Sequence, residues 1–349
     1  MTPAVPGLRP VPIADEADAT PSAALLAPDM PFAAHFRRDH FPAPDRQPEA
    51  WSVDVGGAVR RPLRLDLASL AGLGERTERV TLECAGHRRT EHDPPVEGLA
   101  WATGAVGEAR WTGAGLAAVL QLAEVLPGAR AVVLEGADRG PFCGREGPFS
   151  FARALPLAKA LAGESLLAWA VNDEPVPVHR GGPVRAIVPG WYATDSVKWL
   201  TRITVLDGEF DGPFEAEDYR LIAPGDDGPG ERMTTLPVHA LLVDPAPGSA
   251  RSAGLIELRG IAWGGRGGVE RVDVRVDDGP WRPADLAPSR GPWARRFWRV
   301  TRRVAPGARE VSVRATDASG ARQPDAVPAN RHGFANNAVH RVRLEVTAS

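Results

Sequence analysis

The stretch TLECAGHRRT, residues 81–90, places a cysteine, a histidine and two arginines within six positions. In the preceding run RVTLEC, alternation puts Val80, Leu82 and Cys84 on one face of a predicted strand. The Ala-Gly pair that follows permits a sharp turn, so the Cys84 side chain is predicted to look into a cleft beyond the strand end. Nearby cations favour the thiolate, the form of cysteine that attacks substrates or binds metals. The same pattern also fits a small buried cysteine beside arginines that face solvent.

Three further segments place cations beside turns or proline stops. They are HFRRDHFPAPD (35–45), VHRGGPVR (178–185) and DSVKWL (195–200). Guanidinium groups and the backbone N–H groups of such turns can both reach phosphate oxygens, so these segments suit a large anionic ligand. Each segment alone is more typical of a solvated loop. Their presence in one domain, beside one thiol, favours the anionic ligand.

Composition limits the class of protein. Hydrophobic residues make up 43% of the 349 residues and charged residues 24%, which is typical of a globular protein. The net charge of −3 gives no reason to expect nucleic acid as a partner. No apolar run reaches the ~20 residues of a membrane helix. The N-terminus shows neither a signal peptide nor a twin-arginine pattern, so we predict a cytoplasmic location.

The two cysteines, Cys84 and Cys143, exclude a disulfide framework and any Cys-x-x-Cys metal site. A single disulfide between them stays open, although we interpret Cys143, in a turn-rich loop, as a bystander.

The elements that must position these residues fall into three parts. Residues 1–45 form an N-terminal extension, without a clear period over residues 1–31, that is predicted to pack on the catalytic domain. Residues 46–228 mix strand and helix patterns, with a helix predicted over 113–126 and a strand over 129–138. Residues 229–349 contain five short runs of alternating residues separated by turns, which predicts an immunoglobulin-like β-sandwich. The expected fold is therefore an α+β domain followed by an all-β domain.

These residues resemble the sulfite oxidase family of molybdenum-cofactor enzymes over about residues 30–345. CAGHRR resembles its Cys-Ala-Gly-Asn-Arg-Arg segment, and RRDHFPAP its Arg-Asn-His-x-Pro segment. GGPVRAIVPGWYATDSVKWL resembles the stretch that cradles the pterin phosphate. IAWGGRGGVERVDVRVDDGPW and NNAVHRVRLEV resemble the start and end of its C-terminal immunoglobulin-like dimerisation domain. The resemblance implies a sulfite-oxidase-type molybdopterin-binding domain followed by that sandwich.

The resemblance also implies a role for individual residues. Cys84 would ligate molybdenum. The catalytic and substrate-pocket residues would be Arg38, Arg89, Trp101, Tyr219 and His332. The molybdopterin would be held by Arg38, Asp39, His40, Asp138, His179, Arg180, Arg185, Ser196, Val197 and Lys198.

Four positions depart from the family pattern. Asp39 and His87 stand where the family has asparagine. Arg180 separates His179 from the Gly-Gly pair, so either side chain is a candidate for the cofactor contact. His332 stands where sulfite-oxidising members have a second substrate arginine, although Arg331 is adjacent. A pocket with one fixed positive charge fewer binds the sulfite dianion less tightly.

The implied function is oxidation of sulfite to sulfate by oxo transfer, with no haem in this chain and electrons passed to a separate acceptor such as a cytochrome. A homodimer is expected from the C-terminal domain. Oxo transfer on a sulfoxide or organic sulfur compound, or nitrate reduction, stays open. Two other classes are a thiol hydrolase with Cys84 as nucleophile and His87 or His40 as base, and a non-catalytic binding module.

Overall fold

The computed structural model describes residues 11–45, 48–142 and 145–348. Cys143 lies outside the described residues. No helix in these ranges is long and apolar enough to cross a membrane.

The N-terminal part forms a small antiparallel sheet. Its elements are β1 (Val11–Ala14), β2 (Ala17–Ala19), α1 (Ser22–Leu25) and β3 (Arg37–Arg38). Strand β2 is central and pairs Ala17 with Arg38 and Asp18 with Arg37. The arginine-rich segment 35–45 therefore contributes a strand to this small sheet.

The first large unit contains two five-stranded sheets and one short hairpin. Its strands are β4 (Ser52–Gly57), β5 (Leu63–Asp66), β6 (Arg76–Glu83), β7 (Val106–Gly115), β8 (Ala131–Phe142), β9 (Arg145–Pro156), β10 (Leu166–Val171), β11 (Glu174–Pro175), β12 (Arg185–Ile187), β13 (Leu200–Leu206), β14 (Arg220–Leu221) and β15 (Glu231–Arg232). Its α-helices are α2 (Leu67–Ala71), α3 (Leu116–Ala123) and α4 (Leu157–Leu161). One sheet has the order β11-β10-β7-β6 with β12 also on β10, and the other has the order β5-β4-β13-β8-β9.

This unit is mostly β, and its α-helices are shorter than the α+β prediction implied. The helix predicted over 113–126 covers only Leu116–Ala123, because strand β7 continues to Gly115. The strand predicted over 129–138 runs on to Phe142 and pairs with β9. In both places, pairing with a neighbouring strand extends the backbone beyond what local periodicity indicates.

The second large unit is a sandwich of two sheets. Its strands are β16 (His239–Asp244), β17 (Ala250–Ser252), β18 (Gly254–Trp263), β19 (Val269–Val276), β20 (Arg282–Pro283), β21 (Asp285–Leu286), β22 (Arg296–Val304), β23 (Gly307–Asp317) and β24 (His340–Thr347). The sheet orders are β16-β18-β22-β21 and β17-β24-β23-β19-β20. All five alternating runs of the sequence fall on strands, and their inward residues form one buried cluster.

The two units meet across the polar face of β6. Glu83 is buried there and accepts a hydrogen bond from Trp263 Nε1 at 2.6 Å. The backbone N–H of Thr81 donates to the carbonyl of Trp293 at 2.9 Å. Both faces of the strand that leads to Cys84 are thus covered, which holds the end of β6 in place.

Candidate active site

Strand β6 ends at Glu83, and Cys84 is the next residue. The Cys84 N–H donates to the carbonyl of Ala105 at 2.9 Å, and its own carbonyl accepts from the His87 N–H at 3.0 Å. Arg88 closes the turn in the left-handed region at φ 59°. Cys84 is a free thiol that lines a pocket with a cavity volume of about 80 Å³.

Besides Cys84, ten residues were predicted to hold the cofactor, and eight of those ten line this pocket. The predicted residues in its wall are Cys84, Arg38, Asp39, His40, Asp138, Arg180, Arg185, Ser196, Lys198 and Tyr219. They come from β3, β8, β12 and the loops beside them, which are far apart in the chain. The fold therefore gathers the three cation-bearing segments around the thiol.

Five predicted residues lie outside the wall. Trp101 is buried behind Phe36, with the two rings edge to face at 6.2 Å. Val197 belongs to the core, and its carbonyl accepts from Ala186 N–H. His179 is exposed, whereas the adjacent Arg180 is buried in the wall.

The remaining two, Arg89 and His332, lie together where the two large units meet. Arg89 Nε donates to the His332 carbonyl at 2.9 Å, and Arg89 Nη1 donates to the Leu99 carbonyl at 3.0 Å. A Cβ on Gly86 would lie 2.7 Å from Arg89 Nη2, so a larger residue at this position would displace the end of the Arg89 side chain.

Two arginines of the wall are buried without a carboxylate partner among the described residues. Arg180 donates to the carbonyls of His35 and Ala33 at 2.7 and 3.1 Å. Arg185 donates to the carbonyls of Arg180 and Ser196 at 3.0 and 3.1 Å. Burial lowers the pKa of both, that of Arg185 to about 10. Buried cations of this kind are costly unless an anion joins them.

Several polar atoms of the wall have no hydrogen-bond partner within the described part of the chain. They are His35 Nε2, Asp138 Oδ1, Arg180 Nε and Arg185 Nε. Burial raises the pKa of Asp138 to about 7, although Lys198 lowers it. A ligand that carries both a phosphate and hydrogen-bonding ring atoms would satisfy these groups. His35 was not among the predicted residues, because the unpartnered state of its Nε2 appears only once the neighbouring strands are in place.

Tyr219 and His40, both in the pocket wall, contact each other directly. The Tyr219 hydroxyl lies 2.5 Å from His40 Nε2, and Arg38 Nη2 lies 3.4 Å from His40 Nδ1. Burial lowers the pKa of His40 well below its usual value, and Arg38 lowers it further. Burial also raises the pKa of Tyr219, so the phenol stays protonated.

The thiol differs from the expectation drawn from its neighbours. Burial raises the pKa of Cys84, and the nearby Arg89 and Arg38 oppose this only in part. The cations thus favour the thiolate as predicted, but in the protein without a metal desolvation outweighs them and the pKa of Cys84 stays raised.

A loop of the second large unit completes the site. Its Ala335 N–H donates to the Ala85 carbonyl at 2.9 Å, and the Asn336 side chain donates to the Arg88 carbonyl at 3.1 Å. Phe334 stacks on Tyr219, with ring centroids 5.6 Å apart and an angle of 13°. Sequence reasoning missed Phe334 and Asn336, since they lie over 100 residues from the motifs that they touch.

Comparison with known proteins gives the class of this fold and site. Residues 40–214 match the family model of the oxidoreductase molybdopterin binding domain, and residues 231–347 match that of the Mo-co oxidoreductase dimerisation domain. The chain belongs to the sulfite oxidase family of molybdopterin-dependent oxidoreductases.

Its relatives include sulfite oxidase of Gallus gallus, 37% identical over 361 residues that cover 96% of this chain and 77% of that protein. Mitochondrial sulfite oxidase of Homo sapiens is 34% identical over 91% of this chain and 62% of its own length. Nitrate reductase [NADH] 1 of Oryza sativa subsp. japonica is 31% identical over 90% of this chain and 38% of its own. The chain thus spans about three fifths of the human relative, and less of the plant reductase.

The fold has a close match in a solved structure. The sulfane dehydrogenase SoxCD from Paracoccus pantotrophus superposes with a TM-score of 0.83. The match covers 98% of this chain and 87% of that one, at 24% sequence identity, and supports the architecture of both large units.

Proposed function

We propose that this protein oxidises sulfite to sulfate with a molybdenum–molybdopterin cofactor. The observation that carries the proposal is the pocket that brings the free thiol of Cys84 together with Arg38, His40 and Tyr219. The unpartnered polar atoms of the wall fit the cofactor's pterin and phosphate. Cys84 would ligate the metal, because a soft thiolate suits it, and Arg180, Arg185 and Lys198 would hold the phosphate.

The bound molybdenum centre supplies a two-electron acceptor and the oxygen that the sulfur receives. The balance is sulfite plus water giving sulfate, two protons and two electrons. Arg38 and Arg89 would hold the oxyanion. A neutral His40 accepts from Arg38 at Nδ1 and therefore presents its Nε2–H to the Tyr219 oxygen. In this arrangement the Tyr219 hydrogen would be donated either to Thr194, which also contacts the hydroxyl, or to the reacting oxygen.

A second candidate substrate is an organic sulfur compound with one negative charge. Two observations favour it: His332 stands where a second arginine is expected, and Phe334 adds an aromatic ring beside Tyr219. Burial lowers the pKa of His332, which keeps the imidazole largely neutral at pH 7. A pocket with fewer fixed cations and more apolar surface discriminates against a small dianion.

The test is molybdenum analysis of protein made in a host that assembles the cofactor, paired with steady-state oxidation of sulfite by ferricyanide. We expect roughly one molybdenum per chain, from the single Cys84 site, together with sulfite turnover. Bound molybdenum without sulfite turnover, but with oxidation of methanesulfinate, would favour the second candidate. Absence of molybdenum would contradict both and reopen the thiol hydrolase.

The electrons would leave to a separate acceptor such as a cytochrome, and the dimerisation-type domain would join two copies of the chain. Reduction of cytochrome c in the same assay and the mass of the protein in solution test these two points. A cytoplasmic location remains a prediction from the N-terminal sequence.

A further inference from the structure

A row of alternating charges runs from the N-terminal hairpin, strands β1 and β2, into the cofactor pocket. Asp18 Oδ2 lies 2.7 Å from Arg37 Nε, and Arg37 Nη1 lies 2.7 Å from Asp39 Oδ2. The other oxygen of Asp39 pairs with Lys198 Nζ, which also donates to the Arg38 carbonyl at 2.6 Å. We call this row, Asp18–Arg37–Asp39–Lys198, the clasp.

The clasp joins the surface to the pocket wall. Arg37, Asp39 and Lys198 line the pocket, whereas Asp18 lies outside it on β2. The side chains of Asp18 and Arg37 are 18% and 21% exposed, and that of Asp39 only 9%. Lys198 and Arg37 hold the pKa of Asp39 below its usual value despite burial, so this carboxylate stays charged.

The backbone supports the same connection. Asp18 and Arg37 are register partners in the sheet, and the Asp39 N–H donates to the Glu16 carbonyl at 2.9 Å. Arg37 Nη2 also donates to the Asp15 carbonyl at 2.7 Å. Movement of the hairpin would therefore break its contacts with Arg37. If Arg37 then turned away, Asp39 would lose one of its two cationic partners and keep only Lys198.

We propose that Asp18 and Arg37 are positioning residues that hold Asp39, and through it Lys198, in the orientation that retains the cofactor phosphate. A closed hairpin and an occupied pocket then stabilise each other. The inference rests on the molybdopterin site of the proposed function and concerns retention of the cofactor, not the choice of substrate.

An account by charge alone predicts the opposite result. Removal of the Asp18 carboxylate leaves the region more positive by one charge, which on its own would strengthen the binding of a phosphate. If the clasp acts by position, the same change loosens Arg37 and the hairpin, and the cofactor leaves faster. Faster cofactor release from Asp18→Asn therefore supports the clasp, whereas slower release supports the account by charge alone.

The experiment compares Asp18→Asn with Asp29→Asn as a matched control. Asp29 lies in the same N-terminal part but pairs with Arg79 and Arg290, away from the pocket. Loaded protein is diluted into buffer without cofactor, and the release of molybdopterin is followed by the fluorescence of its oxidised form. We expect Asp18→Asn to release the cofactor about fivefold faster, as fits one partly exposed ion pair in a network, with Asp29→Asn unchanged.

A second measurement does not depend on release. Amide hydrogen exchange in residues 11–20 should be slower in the loaded protein than in the cofactor-free protein, and Asp18→Asn should remove most of that difference. Asp18→Glu, which retains the charge, should restore part of it. Slower or unchanged release from Asp18→Asn, or equal exchange in both forms, would overturn the clasp while leaving the proposed function intact. Failure of the unaltered protein to take up molybdopterin would overturn both.

Discussion

The cofactor end of the pocket and the seam with the second large unit use different kinds of contact. At the cofactor end, Arg37 and Lys198 form side-chain ion pairs with Asp39 in the pocket wall, beside arginines that donate to backbone carbonyls. At the seam, between residues 85–91 and 330–340, most contacts end on backbone carbonyls of the loop. Contacts to backbone carbonyls do not depend on the loop side chains, so the seam tolerates substitutions in the loop. The cofactor end depends on side-chain ion pairs and tolerates substitutions less well. This explains why the loop keeps its position although His332 stands where the family has an arginine.

The comparison predicts that changes at the cofactor end abolish function, whereas changes at the seam shift only substrate preference. The largest effect should come from Cys84→Ser. We expect turnover of sulfite to fall by about a thousandfold, a loss of roughly 4 kcal/mol in transition-state stabilisation, because the hydroxyl is a poorer ligand for the metal. The urea midpoint should change little. Cys143→Ser makes the same atomic change elsewhere in the chain and serves as the control, with sulfite turnover near that of the parent protein. Near-parent turnover in Cys84→Ser would contradict the ligand assignment.

The next effect concerns the stability of the cofactor-free protein. The pKa of Asp138 is about 7 in the fold and near 3.8 when unfolded, so the fold binds more protons between these values. Its contribution is favourable below about pH 4 and is lost as the pH rises to about 7, by up to roughly 4 kcal/mol. Asp138→Asn should remove this part of the pH dependence, as measured by urea unfolding at pH 5 and pH 8.

The exposed Asp207→Asn serves as the control for Asp138, since it removes a carboxylate without a buried environment. Equal pH dependence in the two variants would show that Asp138 is not a source of the slope.

A smaller effect is expected from Arg185→Met. Hydrogen bonds to charged groups contribute about 1.5–3 kcal/mol, so loss of this buried cation should weaken cofactor retention by about tenfold or more. Molybdenum content after gel filtration measures it. Arg202→Met, at an arginine that is 59% exposed, should retain full content. Full molybdenum content in Arg185→Met would contradict the role of Arg185 in holding the cofactor phosphate.

The smallest effect should come from the seam. His332→Arg restores a fixed positive charge, so KM for sulfite should fall by about tenfold, the lower end of what a charged hydrogen bond supplies. The molybdenum content should stay the same, because the loop backbone still meets Arg89. Arg331→Lys, next in the chain, is the control. A change in the molybdenum content of His332→Arg without a change in KM would contradict the proposal that the seam sets substrate preference and the cofactor end holds the cofactor.

Much of the cofactor end could be predicted from the sequence, because its residues lie in short contiguous segments. The strand before Cys84 and the sharp turn after it follow local patterns, whereas the roles of Arg38, Arg180 and Lys198 were implied by the family resemblance. The raised pKa of Cys84 could not be predicted, since it depends on how deeply three separate segments bury the thiol. The same holds for the choice between His179 and Arg180, which depends on one turn of 3-10 helix.

The seam was harder to predict. Arg89 resembles a substrate-pocket cation in the sequence, yet its guanidinium donates to the carbonyls of His332 and Leu99. Phe334 has no distinctive local pattern, and its contact with Tyr219 depends on how the second large unit docks. Contacts of this kind join distant parts of the chain, so local periodicity carries no information about them.

The central claim is that the turn after β6 presents the Cys84 sulfur to molybdenum. X-ray absorption at the molybdenum edge counts the sulfur neighbours of the metal and tests this directly. The account predicts one sulfur neighbour more in the unaltered protein than in Cys84→Ser, both loaded with cofactor. The same number of sulfur neighbours in both proteins would contradict the claim.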